Sequence, residues 1–306
     1  MTNLSPCPLE CWLPDLRRFG PVHPLRALLQ RADRLEDGAS GYLDGLAAYF
    51  QCRDGMPAAA LTREHLAGDA GDASWLNADP AWVQPDLGGA RLLACGQLQL
   101  HMDEALALAE PLKPVFDDAG ITLEISSPDR WHLRLPSSMS LPDFAAPEQA
   151  LGEDLYEHLP RGQEGRRWRI LLNEVQVLLH QHPVNAARRA RGLPPVNSVW
   201  LWGGGALPLQ VTTALAGVIS EDLLLLALAN RAGIKVQPRS AHTVSGAQAG
   251  WLIDLQDLGV DDIAITWWPL LQMQCKRQSL RCSFASGERW LYRSWHRLRF
   301  WRWVAT

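Results

Sequence analysis

The chain has 306 residues, enough to bury a sizeable core as one elaborated α/β domain or two smaller ones. Apolar residues make up 47% and charged residues 20%, a balance that argues against disorder, and the formal net charge of −4 argues against a protein that coats a polyanion. Arginine outnumbers lysine 26 to 3, which fits a GC-rich coding sequence.

The six cysteines, Cys7, Cys11, Cys52, Cys95, Cys275 and Cys282, include no C-x-x-C pair. Cys7 and Cys11 are not followed by a second pair at zinc-site distance, so the thiols read as reduced small hydrophobes. The first residues carry Pro6, Pro8 and Pro14 and no apolar run, so no leader peptide is expected. The longest apolar stretch, 223–229, is too short to cross a bilayer. These features predict a soluble, cytoplasmic protein without membrane contact.

Residues 1–65 read as helical and irregular, with Leu25, Leu28 and Leu29 on one helical face and a second helical stretch at 42–50. Residues 68–89, rich in Gly, Asp, Pro and Ala, read as loop. A strand is expected at 91–100, an amphipathic helix at 103–119, and two short strands at 121–126 and 131–135. The strongest periodicity follows: Trp168, Leu171, Leu172, Val175, Leu178, Leu179 and His182 form one helical face that Pro183 ends. Beyond it the spacing predicts strand 197–202, helix 221–232, strand 234–237, helix 247–258 and strand 262–268, then strands 279–285 and 289–292. Alternation of this kind implies a parallel sheet with right-handed crossovers. The expected organisation is an N-terminal part of the core at 1–100, a small α+β subdomain at 101–150, and an α/β core with a basic tail at 151–306.

Residues 182–205 carry His182, Pro183, Asn185, Arg188, Arg189, Gly192, Pro195, Asn197, Gly203 and Gly205 in one register, preceded by Leu159-Pro160-Arg161-Gly162. This segment resembles archaeal-type, cofactor-independent phosphoglycerate mutases of the alkaline-phosphatase superfamily. Leu172-Asn173-Glu174-Val175-Gln176 and the run 197–205 also resemble a bacterial mutase-like family, the E-type regulatory protein of a pathogenicity-factor cluster. The resemblance implies an α/β fold with a truncated alkaline-phosphatase-like parallel-sheet core and an inserted α+β subdomain. Physically, Arg188, Arg189 and Arg191 offer donor forks suited to phosphate or carboxylate, with Asn185 and Asn197 as neutral donors beside them. Gly203, Gly204 and Gly205, at the carboxyl end of a predicted parallel strand, would let backbone N–H groups approach an anion. The alternative is a solvated turn and a tight strand exit, so that the motif defines the fold. The anion-site reading predicts that Asn185, Arg188, Arg189 and Asn197 converge on Gly203.

The mutase family is expected to hold two divalent metals and a serine nucleophile after an Asp-Gly-containing first strand. Here the corresponding stretch reads Cys11-Trp12-Leu13-Pro14-Asp15-Leu16, without an Asp-Gly pair or a strand of suitable length, and the late segment offers Trp267, Trp268 and Pro269. Those late side chains cannot ligate a hard cation. No metal, cofactor or catalytic residue is therefore assigned. The expectation is a phosphoglycerate-mutase-like protein that acts by binding or regulation, with a phosphorylated small molecule or a protein as partner. An active 2,3-bisphosphoglycerate-independent phosphoglycerate mutase is the alternative. Residues 275–306 hold eight basic residues against Glu288, interleaved with Trp290, Trp295, Trp301 and Trp303, which suggests a nucleic-acid-binding regulator as a third reading. The near-cancelling charge of the rest of the chain favours a docked tail over a nucleic-acid arm.

Overall fold

A computed structural model describes residues 7–53, 55–86 and 89–299. Two compact units emerge, one built from the chain up to Arg53 and from Gln210 onward, the other from Asp54 to Leu209. The strands in chain order are β1 (Leu9–Leu13), β2 (Asp33–Arg34) and β3 (Phe50–Cys52), then β4 (Ser74–Asp86), β5 (Gly89–Cys95), β6 (Thr122–Ser127), β7 (Arg130–Leu135) and β8 (Ser198–Ala206). They continue with β9 (Val211–Thr213), β10 (Gly217–Ile219), β11 (Lys235–Gln237), β12 (Trp251–Asp254), β13 (Leu280–Phe284) and β14 (Arg289–Tyr292).

The first unit is α/β with a largely parallel sheet in the order β11-β10-β12-β1-β13-β14-β2. β11, β10, β12, β1 and β13 run parallel, and β14 and β2 add antiparallel edges. β1 lies between β12 and β13 and all five of its residues are buried. Pro8 and Pro14 bracket this strand instead of precluding it, which corrects the expectation that no suitable strand lies near the start. On one sheet face Leu9, Cys11, Leu13, Leu280, Cys282 and Phe284 pack with Leu25, Leu28 and Leu29 of the helix Pro24–Arg31. Each such buried Leu or Phe contributes about 2 kcal/mol.

Two further expectations are corrected in this unit. Residues 247–258 form no helix; the helix Ala241–Gly246 precedes and Trp251–Asp254 is a strand, because the short apolar run Trp251, Leu252 and Ile253 suits a buried parallel strand as well as a helix turn. Residues 262–268 form no strand; the chain is helical from Val260 through a π-turn at Ile263–Trp267 into the helix Trp268–Arg277. Ile263, Trp267, Trp268 and Leu271 are the buried members, at spacings of 4, 1 and 3, so packing of a helical stripe overrides the β-branched composition. The described part of the tail is docked: Arg293 and Arg299 reach Asp33 at 2.7 and 2.5 Å, and the Arg299 guanidinium lies 4.4 Å from the Trp295 ring centre. Trp301, Arg302 and Trp303 lie outside the described residues.

The second unit is built on an antiparallel five-stranded sheet. The 13-residue β4 is its spine, pairing with β5 and β7 on one side and β8 on the other. Residues 68–89 are therefore largely strand and not loop. Leu76 and Ala78 face the apolar core while Asn77 and Asp79 alternate with them, so polar residues that look like loop composition are one face of a buried strand. The opposite face packs against the long helix Gly162–His180 through Trp168, Leu171, Leu172, Val175 and Leu179, as its periodicity predicts. The α+β segment expected at 101–150 lies inside this unit, and the pairing of β4 with β8 draws residues 74–86 and 198–206 into the same body.

Candidate functional site

The motif at 182–205 is built from a helix junction. Gln181 ends one helix, and His182 caps the next, Pro183–Ala190, by accepting from Val184 N at 3.3 Å through Nδ1. His182 is therefore a cap and not part of the preceding apolar face. Asn185 is fully buried: its Nδ2 donates to Leu179 O and Val196 O at 2.7 Å each, and its Oδ1 accepts from Val196 N at 2.8 Å. Arg188 is equally buried and donates to Pro194 O at 2.9 Å, Glu104 Oε2 at 3.0 Å and Leu98 O. Gln97 and Gln99, which flank Leu98, hold left-handed φ values of 51° and 55°, so the guanidinium latches a strained turn. Glu104 also takes Arg191, and these two cations help hold its carboxyl below the usual carboxylate range despite desolvation. Arg189 is exposed.

Asn197 donates to Val83 O at 2.7 Å and accepts from Val83 N at 2.8 Å, pinning β4 where β8 begins. Gly203 lies six residues further along β8, about 20 Å away in an extended strand. The structure thus brings Asn185 and Arg188 together at one helix junction but does not bring them or Asn197 to the glycines. β8 pairs antiparallel with β4, which corrects its placement in a parallel sheet and removes the anion cradle that depends on a parallel strand end. The glycines admit neighbours. A Cβ on Gly203, at φ 67°, would lie 2.7 Å from Ala58 Cβ; one on Gly204 would meet Leu141 at 2.8 Å, and one on Gly205 would meet Pro57 at 2.9 Å.

The carboxyl ends of the parallel strands, where α/β sheets place ligand sites, carry residues that the sequence reading left unassigned. Asp254 closes β12 and is fully buried; its Oδ2 accepts from Ser220 Oγ at 2.7 Å and its Oδ1 from Gln256 N at 3.2 Å. Burial pushes its carboxyl up to about 7, outweighing the Ser220 hydrogen bond. Asp222 caps the helix Leu223–Arg231 through Leu225 N and accepts from Tyr42 Oη at 2.7 Å. Arg239 bridges Asp254 O and Asp257. Asp15, just beyond β1, is engaged by Arg17, whose hydrogen bonds lower its carboxyl. Ser220 is 1% exposed and also accepts from Asp222 N, so its hydroxyl is closed to a substrate. Among the described residues no three His, Cys, Asp or Glu side chains converge as a metal site. With Asp254 accepting from Ser220 and Gln256, Asp222 from Leu225 and Tyr42, and Asp15 from Arg17, this set does not fit a pair of hard divalent cations, which need several oxygens free to coordinate.

A second polar cluster lies on the β4 face opposite the apolar core. Asp79 accepts from Trp202 Nε1 at 2.8 Å and pairs with Arg130 at 2.9 Å; burial raises its carboxyl to about 6. His132 sits between Thr62 Oγ1 at 3.0 Å and Ser126 Oγ at 2.7 Å, and burial, with Arg130 and Arg63 nearby, drives its imidazole down to about 3. Sequence reading missed this cluster because residues 68–89 looked like loop; the alternation of Trp75, Asn77 and Asp79 with Leu76 and Ala78 was the available signal.

No family model matches the chain. It is 33% identical over 111 residues to the 2,3-bisphosphoglycerate-independent phosphoglycerate mutase of Methanothrix thermoacetophila, covering 34% of this chain and 28% of that protein. It is 35% identical over 95 residues to the Methanosarcina mazei protein of the same name, covering 29% and 24%. A probable mutase of that type from Geobacter sulfurreducens is 40% identical over 62 residues, covering 20% and 16%. The chain thus matches between 16% and 28% of the length of these relatives. Among solved structures it is similar to the cofactor-independent phosphoglycerate mutase of Thermoplasma acidophilum (TM-score 0.40, 15% identity, 94% of this chain and 90% of that one). The PH0037 protein of Pyrococcus horikoshii gives TM-score 0.47 at 11% identity, covering 94% and 87%.

Proposed function

We propose that this chain is a phosphoglycerate-mutase-like protein of the alkaline-phosphatase-like type that works by binding, in a regulatory role, and not by two-metal phosphoryl transfer. The observation that carries the reading is the state of the carboxyl ends of β1, β10 and β12: Asp15 is taken by Arg17, Asp222 by Tyr42 and a helix N-terminus, and Asp254 by Ser220. A metal-activated nucleophile needs oxygens free to coordinate and an accessible hydroxyl; these carboxylates are already engaged and Ser220 is buried. In the described tail, Arg281, Arg293 and Arg299 each pair with a carboxylate, which weakens the case for nucleic acid.

Purified protein freed of host mutase, assayed with 3-phosphoglycerate and manganese or magnesium, is expected to form no 2-phosphoglycerate above a blank. Elemental analysis is expected to find no stoichiometric divalent metal. Metal-dependent isomerisation that co-purifies with the chain and disappears in Asp254→Asn would establish the active-mutase alternative instead.

A further inference from the structure

We propose that the first unit carries a site for a phosphate monoester with an apolar or aromatic body, in the cavity bounded by the helix Pro24–Arg31, the helix Trp268–Arg277 and the turn Ser294–Leu298 that follows β14. The proposal is independent of whether the chain interconverts phosphoglycerates. The cavity measures about 470 Å³, inside the usual range of small-molecule sites and roomier than a bare inorganic anion needs. Arg31, Lys276 and Arg297 line it, and no carboxylate does among the described residues. Lys276 and Arg297 are exposed and make no ion pair or hydrogen bond among the described residues. Asp33, two residues beyond Arg31, is already taken by Arg293 and Arg299.

Exposed arginines are common in this chain, so charge alone does not make a site. Tyr292 is the second observation. It is 8% exposed, it lines the cavity, and its hydroxyl has no hydrogen-bond partner among the described residues. A phenol on a side chain this buried ordinarily finds one. Burial and then the Cys275 thiol raise the phenol, while Arg31 and Arg297 pull the other way, so both guanidinium groups act on the same hydroxyl. An unpartnered donor and two cations thus meet at one wall of the cavity.

Charge and lining narrow the ligand. Arg31 and Lys276 sit in the last turns of their helices, and each helix C-terminus carries about half a negative charge. Three cations against two such ends leave about two positive charges, matching the charge of about −2 that a phosphate monoester brings. Its oxygens accept from the arginine forks, from Lys276 and from the Tyr292 hydroxyl. A dicarboxylate divides the same charge between two centres, whereas Arg31 and Arg297 act together at the one hydroxyl. The rest of the ligand meets Ala27, Leu28 and Trp268, the last two being members of the apolar core. Such walls reward an apolar or flat body and do little for a short polyhydroxy chain. 3-Phosphoglycerate has no such body and adds a carboxylate.

The full chain titrated calorimetrically with phenyl phosphate and with AMP should show saturable, one-site binding, and whichever binds more tightly tells a simple aryl body from a nucleoside. Inorganic phosphate, 3-phosphoglycerate, succinate and adenosine should each bind at least about tenfold more weakly. Lys276→Ala and Arg297→Ala should each weaken binding by about tenfold. Tyr292→Phe should weaken it several-fold at an unchanged melting temperature, since its hydroxyl has no partner in the fold. Arg277→Ala removes an exposed cation of the same helix that does not line the cavity, and should bind like the parent. The proposal is overturned if neither ester binds, or if inorganic phosphate, 3-phosphoglycerate or succinate binds as tightly. Folded Lys276→Ala, Arg297→Ala and Tyr292→Phe proteins that bind like the parent would overturn it too, as would an equal loss in Arg277→Ala, which would mark diffuse surface charge. A single-stranded oligonucleotide that displaces both esters at lower concentration would make the cavity a nucleic-acid contact instead.

Discussion

Asn185→Ala separates a scaffold role of the 182–205 segment from a ligand role. The amide makes three hydrogen bonds of 2.7–2.8 Å, all to backbone and all without solvent. Leu179 O keeps a second donor in His182 N at 3.1 Å, so its loss is small. Val196 N and O lose the partners that Asn185 supplies, and each buried orphan costs about 1–3 kcal/mol. A total near 3–4 kcal/mol is expected, which for a body of this size lowers the melting temperature by about 10 °C. Arg189 is exposed and Arg189→Ala should change stability by no more than about 0.5 kcal/mol. Calorimetric melting of both variants beside the parent is the assay. The reasoning is refuted if Asn185→Ala melts within about 2 °C of the parent.

Gly203→Ala combines a left-handed φ of 67° with a Cβ 2.7 Å from Ala58, and should destabilise by about 2–3 kcal/mol in urea unfolding, whereas Gly20→Ala, with open space around it, should not. The folded chain holds the Asp254 proton up to about pH 7 while an unfolded aspartate releases it near 4, so this group makes stability fall as pH rises from about 4 to about 7; Asp254→Asn should be stabilised by about 2 kcal/mol at pH 8, with the gain shrinking toward pH 5 in parallel melts. His132 has the opposite sign: the unfolded imidazole binds a proton below about 6.5 and the folded one only near 3, so it makes stability rise over that window, and His132→Gln should flatten the acid limb of the stability profile. Asp33→Asn removes the carboxylate that accepts from Arg293 and Arg299, and should speed tryptic cleavage after Arg293 or Arg297 several-fold; unchanged cleavage would mean that packing alone holds the tail.

What the sequence disclosed follows local periodicity. The helix Gly162–His180 was legible because its buried apolar side chains, Trp168, Leu171, Leu172, Val175 and Leu179, share one stripe at 3.6-residue spacing. The strands Thr122–Ser127 and Arg130–Leu135 were legible from two short runs around Ser127-Pro128-Asp129. β4 was not, because Asn77, Asp79, Pro80 and Pro85 mimic loop composition, and their reason for being in a strand is pairing, Asn77 with Trp202, Asp79 with Trp200 and Pro80 with Val199 of β8 far along the chain, and Pro85 with Ala90 of β5. β1 hid among prolines for a similar reason: its identity as a strand depends on Leu252–Asp254 and Leu280–Phe284 flanking it, neither of which is near in sequence. Glu10, with a carboxyl in a five-residue buried strand, was visible in the sequence but had no meaning until Arg281 and Tyr49 were beside it.

The residues that carried the resemblance are the ones the second unit uses up internally. Asn185 closes the junction between two helices, Arg188 latches Leu98 and Glu104, Asn197 holds both polar groups of Val83, and Gly203 makes room for Ala58. Side chains engaged in this way specify how β4, β8 and two helices meet, and a likeness built on them reports a shared scaffold. Chemistry has to be argued from groups the scaffold leaves unsatisfied. In the first unit Glu10 Oε2 and Arg281 Nε, on one face of the parallel sheet, are buried without a hydrogen-bond partner. Substitutions at Asn185, Arg188, Asn197 and Gly203 are therefore expected to lower stability first, whatever the chain binds.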